Sequence, residues 1–183
     1  MYALIAILDE NTEKIIKNIW QEMSEQNLSH YAYEVYNREP HITLASFETT
    51  NLKTVIEKLR IILSKYSYQP VTFNHLSTFL GSRMLTLNPV KTVELSRFHQ
   101  TIHQALSLDV EFSPLYIPQN WVPHLTLANR ISEDKIALTY KYCLERCMIL
   151  SSHIISVKII KINQTGQVTT LYDYQLKERS FYL

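Results

Sequence analysis

Two stretches of this chain are near copies of each other: Pro40-His41-Ile42-Thr43-Leu44-Ala45 and Pro123-His124-Leu125-Thr126-Leu127-Ala128. Five of six positions are identical, the sixth exchanges Ile for Leu, and the two histidines lie 83 residues apart. A repeat of this kind constrains the fold strongly, because both copies must form the same local structure and bury the same face. Each copy alternates polar and aliphatic residues with period two, the pattern of a half-buried strand. Ile42, Leu44, Leu125 and Leu127 then point to a core, while His41, Thr43, His124 and Thr126 point the other way. Each half of the chain presents an imidazole and a hydroxyl side by side on a strand, ~6–7 Å apart.

The elements around the repeat also echo one another. Tyr2 to Leu8 reads as a strand, and Asn11 or Thr12 can cap a helix to about Asn27 with Ile15, Ile16, Ile19, Trp20 and Met23 on one stripe. Tyr31 to Tyr36 reads as a second strand and His41 to Phe47 as a third, and Asn51 opens a helix to Leu63. Val71 to Leu80 and Met84 to Leu87 alternate around Gly81-Ser82 as a hairpin. Thr92 to Leu108 is helical in period, and Pro114, Pro118 and Pro123 mark an extended tract before the strand His124 to Ala128. Ser132 is placed to cap a helix to about Met148, and Ile149 to Ile162 and Val168 to Leu176 flank Thr165-Gly166 as a closing hairpin. This order predicts an α+β fold. Residues 1–183 read as a single two-lobed domain related by a pseudo-twofold, since no linker or charge block divides them.

Composition limits the function classes. Charged residues make up 19% of the chain with a net charge of +1, which excludes a broad polyelectrolyte grip on long nucleic acid but leaves room for a small phosphate site. The two cysteines, Cys143 and Cys147, read as core thiols. No apolar run reaches the length of a membrane span, and the N-terminus lacks the basic segment of a signal peptide. The expectation is a cytoplasmic monomer that does not engage a membrane.

Two imidazoles facing one another across a pseudo-twofold suit phosphodiester cleavage. A neutral ring can take a proton from the attacking oxygen while an imidazolium gives one to the departing oxygen, because an unperturbed pKa near 6.5 lets both forms coexist. Thr43 and Thr126 can donate hydrogen bonds to the non-bridging phosphate oxygens. The scheme requires no metal or other cofactor. A metal site on His41 and His124 ranks last, for neither motif carries a neighbouring Cys, Asp or Glu ligand set. A non-catalytic RNA- or nucleotide-binding module using the same cleft is the alternative, although phosphate binding alone does not need two matched imidazoles.

At these residues the chain resembles the two-histidine (2H) phosphoesterase superfamily, and within it the 2'-5' RNA ligase-like group of RNA 2',3'-cyclic phosphodiesterases. PHITLA and PHLTLA both match that family's His-x-Thr/Ser-x motif, one in each lobe. The resemblance implies two antiparallel sheets forming a concave cleft, with helices packed outside and the His/Thr quartet lining the cleft. It implies hydrolysis of 2',3'-cyclic phosphate or 2',5'-linked ribonucleotides, on an RNA end or a small ribonucleotide. It further implies His41 as acid for the leaving 3'-oxygen and His124 as the base that activates water; the symmetry of the motifs does not itself distinguish these roles. The family often carries an arginine soon after the second motif. Here Arg130 stands one residue later than that form; if the strand continues it shares the parity of His124 and Thr126 and is a phosphate-binding candidate, and if the strand ends at Ala128 it is a surface charge.

Phe47, Trp121 and Tyr36 are candidates to stack on a nucleobase, with Trp121 reading first as the anchor of its proline-rich loop. Arg38 is a possible phosphate neighbour but reads first as a solvated turn. His99 and His103 have metal-ligand spacing, yet Gln100 breaks the zinc-peptidase pattern, so they read as helix-face residues. His30, His75 and His153 have no partner motif.

Overall fold

The computed structural model describes residues 1–163 and 167–178. In chain order the elements are β1 (Tyr2–Leu8), α1 (Glu10–Glu25), β2 (His41–Glu48), α2 (Leu52–Leu63), β3 (Gln69–Ser77), β4 (Leu85–Pro89), α3 (Val93–Leu106), β5 (Glu111–Phe112), β6 (Leu125–Ala128), α4 (Ile136–Arg146), β7 (Leu150–Ile162) and β8 (Val168–Gln175).

Local chemistry explains most of these boundaries. Asn51 and Thr92 cap α2 and α3 by accepting from the backbone N–H of Thr54 and Leu95. The cap of α1 is Asp9, two to three residues before the expected one. Its carboxylate accepts from the Thr12 N–H, and Thr12 is itself buried, bonded through Oγ1 to Ser152 Oγ at 2.7 Å. Ser132 makes no side-chain cap; a 3-10 turn at Glu133–Lys135 intervenes and α4 starts at Ile136. The strand expected over Tyr31 to Tyr36 is absent. Tyr31–Tyr33 forms a 3-10 turn followed by loop, and β2, the nearest strand in sequence, has β1 on one edge and β5 and β6 on the other. The Gly81-Ser82 hairpin exists as β3–β4, but its connection is a seven-residue loop in which Gly81 takes φ +74°. β7 and β8 pair as expected from Ser156↔Gln175 to Ile162↔Val168, and the expected Thr165-Gly166 turn lies outside the described residues.

All eight strands join one antiparallel sheet in the order β1-β2-β6-β4-β3-β7-β8, with β5 on β2. The two halves expected to form separate sheets are sutured twice. β7 pairs with β3 through residues 150–154 and with β1 through 154–161, and β2 meets β6 at Ile42↔Leu125. The pseudo-twofold is visible in the pairings, since β1 lies beside β2 as β4 lies beside β6.

The helices cover one face. Ile16, Ile19, Trp20 and Met23 of α1, Val55, Leu59 and Leu63 of α2, Leu95, Phe98, Ile102 and Leu106 of α3 and Cys143 of α4 share one buried cluster with Leu4, Ile42, Leu44, Leu125 and Leu127 of the sheet. Each such aliphatic or aromatic side chain contributes ~1.5–3 kcal/mol on burial. Both cysteines are free; Cys143 is in this core and Cys147 is half-buried at its margin. Ile5, Ile7 and Ile160 form a separate patch on the opposite face of the sheet. That opposite face carries His41, Thr43, His124 and Thr126. Among the described residues, no helix is long and apolar enough to cross a membrane.

Candidate active site

The quartet is assembled by one bridge. Ile42 of β2 stands opposite Leu125 of β6, and both are fully buried on the helix side. The residues that flank this bridge, His41 and Thr43 on β2 and His124 and Thr126 beside and within β6, alternate to the other face, although the ladder itself does not extend to them. Each imidazole has a threonine two residues along on the same face, and the charge of His124 acts on His41.

Each ring is oriented in the same way. His41 Nδ1 lies 2.7 Å from the carbonyl of Glu39, and His124 Nδ1 lies 2.9 Å from the carbonyl of Val122. Both acceptors are two residues upstream of their histidine. A carbonyl can only accept, so Nδ1 carries the hydrogen in both rings and Nε2 is left as the nitrogen that exchanges a proton. Burial lowers both pKa values. For His41 the Glu39 carbonyl opposes this shift, and the charges of Arg38 and His124 reinforce it. For His124 the Val122 carbonyl opposes it. The Thr126 hydroxyl has only a weak contact with Met84 Sδ at 3.8 Å, so it is available to a substrate oxygen.

The surroundings supply further groups that sequence reading passed over. Phe79 sets its ring edge-to-face with His124 at 5.0 Å and 68°. Lys158 Nζ grips both carboxylate oxygens of Glu39, at 2.8 and 2.9 Å, so the residue that orients His41 is itself tethered. Lys158 is the cross-strand neighbour of Ile5, as Ile5 is of Thr43, a row legible only once β1 is known to lie between β2 and β7. Arg38 is not a solvated turn: its guanidinium lies 3.9 Å over the Tyr31 ring and donates to the Tyr31 hydroxyl at 2.7 Å.

Several expected assignments change. Phe47 is 1% exposed and packs against Tyr2 and Phe112 in the core, so it cannot stack on a base. Trp121 is 2% exposed; it lies flat on His99 at 3.8 Å and donates Nε1–H to the Thr43 carbonyl at 2.9 Å. It is an anchor. His99 and His103 are buried rather than on an open helix face, and both donate Nε2–H to the carbonyl of Leu44, at 2.8 and 3.0 Å. Burial holds the pKa of His99 down at about 3 and lowers that of His103. Among the described residues Ile42–Leu125 is the one pair that joins β2 to β6, and these three rings take up the carbonyls of Thr43 and Leu44. β6 ends at Ala128, Arg130 has φ +54°, and its guanidinium is ion-paired with Glu34, so strand parity does not carry it to the quartet. Tyr36 is 89% exposed on the loop before β2 and open to a ligand.

A family model described as the 2'-5' RNA ligase superfamily matches residues 12–147. Among solved structures, this chain is similar to one described as a phosphoesterase, with a TM-score of 0.61, 16% identity and coverage of 97% of this chain and 98% of that one. It is similar to E. coli LigT complexed with 3'-AMP, with a TM-score of 0.58, 13% identity and 97% coverage of both chains. For E. coli LigT complexed with phosphate the TM-score is 0.54 at 15% identity, again with 97% coverage of both chains. At these identities the likeness is one of fold. A search of curated protein sequences gives no match.

Proposed function

The chain belongs to the 2'-5' RNA ligase superfamily, a family of phosphoesterase- and ligase-type enzymes, and from that premise we propose a metal-independent phosphodiesterase that hydrolyses 2',3'-cyclic phosphate or 2',5'-linked ribonucleotides. The substrate is an RNA end or a small ribonucleotide. The observation that carries this reading is the matched pair of Nδ1–H bonds to the carbonyls of Glu39 and Val122, which leaves the Nε2 atom of each ring free to exchange a proton. The ribonucleotide and phosphate bound by LigT in its crystal structures support a ligand of this class.

In this mechanism the phosphodiester lies between the two histidines, with Thr43 and Thr126 donating to its non-bridging oxygens. Neutral His124 takes a proton from water through Nε2 as the water oxygen attacks phosphorus. The bond from phosphorus to the 3'-oxygen breaks, and His41 supplies the proton that the departing oxygen needs. The product is a 2'-phosphomonoester, and solvent returns the proton from His124 to His41. Burial and the charge of Arg38 both disfavour the His41 imidazolium, so the acid role given to His41 follows the family pattern and not this electrostatics. The arriving phosphodiester anion opposes that effect and favours one protonated ring in the complex. Of the three aromatic candidates Tyr36 is the exposed one and is proposed to meet a base, while Arg130 is engaged by Glu34.

The test is a panel of 2',3'-cyclic nucleotides, cyclic-phosphate-ended oligoribonucleotides and 2',5'-linked dinucleotides, incubated in excess chelator with products identified by phosphorus NMR. The expected result is turnover unaffected by chelator, giving a 2'-phosphate from the cyclic substrates. Binding without turnover across the panel, or activity that chelator abolishes and added metal restores, overturns the reading.

A further inference from the structure

We propose that Asn88 is the positioning residue of His124, supplying through its side chain the support that His41 receives from the sheet; this rests on the two-histidine reading above. The pairings show why the second half needs such a residue. In the first half Ile5, Ala6 and Ile7 of β1 stand opposite Thr43, Ile42 and His41. In the second, Thr86 and Leu87 of β4 stand opposite Thr126 and Leu125, so Asn88 holds the place that Ile7 holds beside His41. There the symmetry breaks. His41 is the first residue of β2 and is paired, whereas β6 begins only at Leu125 and the β4–β6 pairing reaches no further than Leu87↔Leu125. The residue after Asn88 is Pro89, which has no N–H to offer.

Side chains hold the unpaired segment instead. Lys91 Nζ donates to the Trp121 carbonyl at 2.7 Å, His124 Nδ1 to the Val122 carbonyl at 2.9 Å, and Asn88 Nδ2 to the Pro123 carbonyl at 3.0 Å. Three consecutive carbonyls before Leu125 are thus each engaged by a side chain. The Asn88 amide is fixed in turn: its Oδ1 accepts from Ser77 Oγ at 2.7 Å and Thr86 Oγ1 at 2.8 Å, and the residue is only 8% exposed. Because Pro123 O can only accept, this amide has one orientation that satisfies all three bonds. Releasing Pro123 would free the adjacent Val122 carbonyl, the acceptor that sets the tautomer of His124. The first half has no counterpart, since Ile5 and Ile7 lie in an apolar patch.

The experiment compares the wild-type protein with Asn88→Leu and Asn88→Asp, two variants with the same number of side-chain heavy atoms that lack the donor. Nitrogen-15 NMR of the imidazoles reads the tautomer of each histidine, and kcat and KM are measured on the substrate the panel identifies. The expected result is His124 wholly Nδ1-protonated in the wild type and a mixture of tautomers in both variants, with His41 unchanged. With it kcat falls by about 10- to 100-fold, as a displaced catalytic group costs, while KM stays within about threefold. Thr86→Val, which removes one hydroxyl from Oδ1, gives a smaller shift of the same kind and serves if the Asn88 variants do not fold. A His124 tautomer unmoved in every folded variant, or His41 and His124 moving together, overturns the proposal. The imidazole spectra need no turnover, so an inactive wild type with the expected spectra refutes the phosphodiesterase reading and leaves the positioning role standing.

Discussion

The two halves of the site begin from nearly the same six residues and are supported by different chemistry. His41 stands inside a ladder, beside Ile7, over an apolar patch of Ile5, Ile7 and Ile160, and its carbonyl partner Glu39 is tethered through its carboxylate by Lys158. His124 stands outside its strand, beside a polar cluster of the half-buried Ser77 and the buried Thr86 and Asn88, with Phe79 edge-to-face against its ring. What the halves keep in common is the Nδ1–H bond to a carbonyl two residues upstream and the threonine two residues downstream. Under the proposed mechanism, what the chemistry demands is duplicated, and what merely holds it in place is free to differ.

The largest effect expected from this comparison concerns the threonines. Thr43→Val and Thr126→Val should each lower kcat/KM by on the order of 100-fold, as loss of a donor to a developing oxyanion does. The two losses should agree within several-fold despite the different floors beneath them. A silent Thr43 or Thr126 would show that the phosphate is held by one half alone.

A second expectation concerns the rings behind β2. His99 and His103 are buried neutral, and the pKa of His99 is held at about 3 against 6.5 for an unperturbed ring. The unfolded chain therefore binds more protons than the folded one between those values. Stability is fully present above pH 6.5 and is lost as pH falls toward 3. For His99 alone the loss between pH 7 and pH 4.5 is on the order of 2 kcal/mol. Denaturant unfolding at the two pH values checks this, and His99→Gln, a neutral donor, should remove much of the dependence. A wild-type stability flat across that interval would contradict the assignment of neutral rings.

The smallest expectation is at the rim. Arg130→Ala should change KM by less than about threefold, since an exposed ion pair with Glu34 contributes little. A tenfold or greater rise in KM would return Arg130 to the phosphate and add a charged contact on one side of the pseudo-twofold.

The parts of this account that could be read from the residues are those governed by local period. His41, Thr43, His124 and Thr126 share a face because strands alternate, and Asn51 and Thr92 cap helices because their side chains reach the nearest free N–H. Assignments that depend on a distant neighbour could not be read. Phe47 is hidden because β5 places Phe112 opposite it, and the partners that make Trp121 an anchor, His99 and the Thr43 carbonyl, come from α3 and β2. Tyr31 to Tyr36 has strand-like composition, but β2, the strand that follows it, has neighbours on both edges. Arg130 depended on where β6 stops, and Asn88 acquires meaning only from the register of β4 against β6.

The central claim is that His41 and His124 act on the same phosphorus as one unit. Comparison of His41→Ala, His124→Ala and the double variant on one cyclic-phosphate substrate tests it most directly. The account expects each single change to cost about 10³-fold or more in kcat, and the double change to cost little beyond the worse of the two, because groups that work as a unit are not additive. Losses that multiply independently, or a single variant that keeps substantial turnover, would contradict it.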